Sequence, residues 1–177
     1  MGCDIHGVWE VRVQDGRWFA FRSISDNRSY AWFGIMSGVR GEGPRCDSEC
    51  WYPPDADAGA EVVSDYWRDV CTRWDRGLHG HTVASVDAVV AANDEYCAEM
   101  QERWGERNEV SSLEYEQIPR PDDIVQELWL GLSSDHGEAN SLTMGIPLRE
   151  VMGLPPDVHG DDERFKSRLR YLCAYDN

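Results

Sequence analysis

Asp15-Gly16 stands between two runs of strand formers, Trp9, Val11 and Val13 before it and Trp18-Phe19-Ala20-Phe21 after it. Asp-Gly in that setting predicts a β-hairpin over residues 4–21 with a tight type I′ turn. An isolated hairpin is marginal in water, and this one has Ile5, Trp9 and Val11 on one face to cover. It therefore needs more sheet. The segment Arg168-Leu-Arg-Tyr-Leu-Cys-Ala-Tyr, rich in strand formers, supplies it, so a strand around residues 171–175 is expected beside the strand from residues 3–13.

Between these ends the periodicity is helical. Tyr30, Phe33 and Met36 recur about every three residues after Asp26 and Asn27, which suits a short capped helix. Val63, Tyr66, Trp67, Val70 and Trp74 predict a helix over residues 60–76, closed by Gly77. Ser85 can cap another that carries Val86, Val89, Val90, Tyr96, Cys97 and Trp104 and stops at Gly105. Pro121-Asp122-Asp123 suits the start of a further helix reaching Leu132. Residues 41–59, with Gly41, Gly43, Pro44, Pro53, Pro54 and Gly59, read as a long surface loop. The expected fold is α+β in a single domain, 1–177. It has a small, mostly antiparallel sheet joining the N-terminal hairpin and the C-terminal strand, covered by three to four helices.

Thirty-three acids against 17 bases leave a formal charge of -16 over 177 residues. Such a chain repels polyanions, which weighs against direct binding of duplex DNA. No run approaches the ~20 apolar residues of a membrane span, and residues 1–13 lack the basic and apolar regions of an export signal. A cytoplasmic setting is expected, with the six cysteines as thiols. The charge is uneven. Residues 1–45 hold six arginines against five acids, so the rest of the chain carries all of the net negative charge. A pocket for a small anion is electrostatically easiest in that first quarter.

The chemistry-bearing residues fall partly in the same region. Strand alternation puts Asp4, His6, Glu10 and Arg12 on one face, opposite Ile5, Trp9 and Val11. Asp-x-His on a strand lets a carboxylate and an imidazole reach one divalent ion, Zn or Mn. His79-Gly80-His81 is a second close imidazole pair, placed in a loop before a helix. Asp4, His6, His79 and His81 are thus the candidate metal ligands. Glu10 is the candidate general base, and Arg28, Tyr30 and Arg40 are candidates for holding a phosphate or stacking a base. Loop and edge histidines more often serve structure, and the Arg28, Tyr30 and Arg40 group is equally able to pair with the acids and pack on the sheet. Cys46 and Cys50 have the spacing of half a thiolate zinc site, but no second close cysteine pair accompanies them.

Met1-Gly-Cys-Asp-Ile-His, with Glu10, Arg28-x-Tyr30-x-x-Phe33 and Gly38-Val39-Arg40, resembles a family of largely phage-encoded proteins that begin with this Gly-Cys-Asp-Ile-His signature. His79-Gly-His-Thr is similar to that family's Gly-His-Ser-His-Ser segment, and Tyr175-Asp176-Asn177 to its Phe-Asp-Asn ending. The resemblance departs in residues 46–60 and does not extend to 105–165. It implies a phage context and points to the same residues as a site, without naming a reaction. Two functional readings follow. One is a metal-dependent hydrolase of a phosphoester or nucleotide. The other is a non-catalytic acidic factor that binds a host or defence protein as a nucleic-acid mimic, or sequesters a nucleotide; Glu95, Glu99, Glu102 and Glu106, at helical spacing, suit the mimic.

Overall fold

A computed structural model describes residues 5–23, 36, 46–50, 57–74, 77–105 and 148–176. Asp4, Arg28, Tyr30 and Arg40, nearly all of the helix expected around residue 30, and the helix expected from Pro121 lie outside the described residues. The described elements run β1 (Ile5–Arg12), β2 (Trp18–Ser23), β3 (Ser48–Cys50), α1 (Asp65–Trp74), β4 (His79–Ser85), α2 (Val86–Gly105), α3 (Leu148–Val151), α4 (Glu163–Lys166) and β5 (Leu169–Tyr175). The five strands form one sheet in the order β2-β1-β5-β4-β3. Every pairing is antiparallel. This is an α+β fold in which β1 and β5 pair from Ile5↔Tyr175 to Val11↔Leu169, as the strand formers at the two ends require.

The hairpin forms with a three-residue loop in place of the two-residue turn. Val13 N donates to Arg17 O at 2.9 Å, Gly16 N donates to Val13 O at 3.0 Å, and Gly16 takes φ 90°. Asp15 decides this locally, because its carboxylate accepts from the Arg17 backbone N–H at 3.1 Å in an Asx turn. A single left-handed residue after a tight turn then suffices, and glycine fills it.

Both faces of the sheet are covered. Trp9 and Val11 of β1, Ala84 of β4 and Tyr171, Cys173 and Tyr175 of β5 pack with Val86, Val89 and Ala92 of α2 and with Met152 and Phe165. Val8, Leu172 and Ala174 face the other way, against Val63, Trp67, Val70 and Leu78. Two-sided burial explains why β5 is apolar at almost every position rather than alternating. It also changes the environment of the polar stripe on β1: Val8 shares the face of His6 and Glu10, and α1 lies over it. Ser64 starts α1, its hydroxyl accepting from Trp67 N at 3.3 Å, and Ser85 starts α2, accepting from Ala88 N at 3.1 Å.

Within the expected loop 41–59, Ser48–Cys50 forms the edge strand β3, paired from Ser48↔Ala84 to Cys50↔Thr82. Its three residues are too short for alternation to show. On the α2 side, Tyr171 and Tyr175 lie over glycines of the flanking strands. A Cβ on Gly7 would fall inside the Tyr171 hydroxyl, and one on Gly80 would stand 2.8 Å from the Tyr175 ring.

Candidate functional site

The start of β1, the start of β4 and the end of β5 meet at one end of the sheet. Ile5 pairs with Tyr175, and Tyr175 pairs with His79, so these three residues form one cross-strand row. His6 stands opposite Ala174, which places it on the same face as Asp176 two residues on. His6 Nε2 and Asp176 Oδ2 are 3.2 Å apart, each side chain 14% exposed. Nothing in the sequence signals this pair except the strand register, because 170 residues separate its members.

His79-Gly80-His81 belongs to a strand and not to a loop. The β4–β5 register shifts between His79 and Thr82, and Gly80 takes φ 62°. This irregularity leaves Gly80 and His81 without β5 partners, and such bulges re-aim side chains. The His79 ring lies 6.2 Å from that of Tyr175, centroid to centroid. His81 is half-buried, and its Nδ1 is enclosed without a well-formed hydrogen bond. Burial lowers its pKa below the usual histidine value; the Leu78 carbonyl opposes this, and the neighbouring His79 adds to it. Burial thus favours the neutral form of His81, the form that donates a lone pair to a metal.

His6, His79 and His81 thus lie at one end of the sheet but not on one face: His6, with Asp176, which the sequence reading did not single out, is on the α1 side, whereas His79 pairs with Tyr175 on the α2 side. Among the described residues no three His, Cys, Asp or Glu side chains stand close enough to hold a metal ion between them.

Glu10 is placed elsewhere. It is fully buried four residues along β1, under the start of α1. Oε1 accepts from Ser64 N at 2.9 Å. Oε2 accepts from Arg170 Nε at 2.8 Å and Nη2 at 2.7 Å. Arg170 also donates to Val62 O at 2.7 Å and stacks on Trp18, its Cζ 3.8 Å from the ring centroid. A general base must meet a water or a substrate proton. Both oxygens of Glu10 are instead engaged by the backbone and by Arg170.

The cysteines are dispersed. Cys46 and Cys173 are buried in the α2-side core, Cys50 is exposed and Cys71 lies on α1. Burial pushes the Cys46 thiol up to about 12 and the Cys71 thiol up to about 11, so neither is a ready thiolate. No helix among the described residues is long and apolar enough to cross a membrane. Set against known protein families, curated proteins and solved structures, the chain matches none.

Proposed function

We propose that this chain is a phage-type metal-binding protein whose divalent ion, Zn or Mn, sits at the sheet end marked by His6, Asp176, His79 and His81. The single observation that carries the reading is the 3.2 Å approach of His6 to Asp176, at the sheet end where the β4 bulge sets His81. The donor types fit: imidazole nitrogen and carboxylate oxygen suit these ions, and a carboxylate against a ring nitrogen fixes the orientation of a ligating histidine. Among the described residues the enclosed Nδ1 of His81 makes no well-formed hydrogen bond. In this reading Asp4 would supply a further donor. When bound, the metal would lower the pKa of a coordinated water and make a nucleophile for a phosphoester or nucleotide substrate. In this reading Asp176 accepts a hydrogen bond from His6 and orients it, while Arg28 and Arg40 hold the phosphate. Glu10, with both oxygens engaged by Ser64 and Arg170, takes no part as a general base.

Elemental analysis of untagged protein, reconstituted with Zn or Mn and then dialysed, tests the reading. About one ion per chain is expected, falling to background in a His6→Ala, His81→Ala double variant that retains its circular dichroism. Background metal in the native protein after reconstitution rules it out.

The non-catalytic acidic reading keeps one supporting observation. Asp94 and Glu95 near the middle of α2 and Glu102 near its end are exposed, consistent with an ordered acidic surface. It takes precedence if the native protein binds no metal.

A further inference from the structure

The end of the sheet opposite His6, about 20 Å away along β1 at the usual strand rise, gathers arginine. Trp18 stands opposite Arg12 in the β1–β2 register. Arg12 N donates to Arg168 O at 2.8 Å, which continues the β1–β5 register by one pair. Trp18, Arg12 and Arg168 therefore form one cross-strand row, and in the next row Glu10 stands opposite Arg170. Arg12 Cζ lies 5.8 Å from the Trp18 ring centroid and Arg170 Cζ 3.8 Å from it.

Arg12 and Arg170 thus share the Trp18 ring, the register sets Arg168 across from Arg12, and Glu10 alongside already serves Arg170 and Ser64 with its oxygens. Arg12 Nε also donates to Gly16 O at 3.2 Å. The nearby Asp15 is engaged with Arg17. Among the described residues neither Arg12 nor Arg168 has a carboxylate at ion-pair distance. Like charges directly opposite one another across two strands destabilise a sheet. In a chain with 33 acids and 17 bases, an acidic neighbour would have been the easy remedy, yet this row has none. The arginines also act on one another, since the charge of Arg12 adds to burial in lowering the Arg170 pKa.

We propose that the Trp18–Arg12–Arg168 row is a binding site for a small phosphate-bearing anion, separate from the metal site at the other end of the sheet. Guanidinium forks match phosphate oxygens two at a time, and stacking on an indole presets the fork. An anion between Arg12 and Arg168 turns their mutual repulsion into a shared attraction. The overall charge of -16 disfavours a polyanion, so the ligand is a small molecule and not a nucleic-acid strand.

Titration calorimetry of the full chain in EDTA, with inorganic pyrophosphate and ATP as probes, tests this. Wild type is expected to bind, and Arg12→Gln or Arg168→Gln to weaken binding at least roughly tenfold, the lower bound for losing a hydrogen bond to a charged group. Equal affinity for the two probes assigns the site to phosphate alone, whereas tighter ATP binding that Trp18→Ala abolishes adds base stacking. Thermal melting separates function from structure: without ligand, Arg168→Gln should melt at or above the wild-type temperature because a like-charge contact is gone. The proposal is overturned by failure of wild type to bind either probe, by binding that appears only when Zn or Mn replaces EDTA, by equal affinity in the double glutamine variant, or by a lower melting temperature of ligand-free Arg168→Gln.

Discussion

Glu10 of β1 accepts the backbone N–H of Ser64, the N-cap of α1, at 2.9 Å. In a capping box that N–H is met by a Glu or Gln at the third helical position. Here that position is Trp67, which is committed to the core, and the carboxylate arrives from a strand 54 residues earlier in the chain. The contact places negative charge at the helix N-terminus and locks α1 onto the sheet.

Removing this carboxylate should therefore act on folding. Glu10→Ala takes the carboxylate from the mostly buried Arg170 and leaves the Ser64 N–H unmet, and breaking one side of a buried pair costs about 3 kcal/mol. Urea denaturation should show that loss, with the paired Glu10→Leu, Arg170→Leu variant less destabilised than the single change. Unaltered stability of Glu10→Ala would show the contact to be dispensable.

Gly7 is expected to tolerate no side chain. Gly7→Ala drives a methyl into the hydroxyl of the fully buried Tyr171, an overpacking that costs about 1 to 3 kcal/mol. Adding Tyr171→Phe removes the clashing oxygen and should recover part of the loss in the same denaturation assay. No recovery would mean that the methyl meets something other than the hydroxyl.

Thiol reactivity should separate the described cysteines by burial. Peptide mapping after brief alkylation at neutral pH is expected to find Cys50 modified first. Cys46 and Cys173, buried and with raised pKa values, should be modified only on unfolding. Early labelling of Cys46 would contradict the packing of the α2-side core.

Acid sensitivity has one local source at α4. Asp162 caps this helix, accepting from Arg164 N at 2.8 Å, and the Arg164 guanidinium holds its carboxyl down to about 2. A depressed carboxyl pKa contributes stability that is complete above the unfolded value near 3.8 and is lost as pH falls toward 2. Asp162→Asn should thus flatten the stability profile between roughly pH 4 and 2 and leave its slope near neutrality unchanged. Melting curves across that range check it.

Three strands, β1, β2 and β5, were legible in the sequence because they announce themselves by composition and the hairpin by Asp15-Gly16, whereas β3 and β4 were read as loops. Ser64 lies inside the helix expected over residues 60–76, which in fact begins at Asp65, while Ser85 caps its helix as read. What stayed hidden depends on tertiary burial. Val8, lying between His6 and Glu10 on one face, was the available sign that the polar stripe of β1 would be covered, and the unbroken apolar run of β5 pointed the same way. Asp176 could not be found locally, since only the register of β5 against β1 brings it to His6. The bulge at Gly80 hid β4, because a Gly between two histidines breaks the strand pattern. The arginine row carries no motif at all: Arg12 and Arg168 are 156 positions apart and meet only through pairing.

The order β2-β1-β5-β4-β3 has a consequence for how the chain comes together. β5 is the middle strand of the sheet and the last of the five in chain order, so β1 with β2 and β4 with β3 can form only as two separate pairs until it arrives. Each pair meanwhile carries an open inner edge with unpaired backbone groups, a ready template for pairing with another chain. Docking of β5 closes both edges at once, through contacts that span up to 170 residues, a long-range closure that slows folding and lengthens the interval of exposure. The net charge of -16 opposes association during that interval, an advantage that is independent of any ligand.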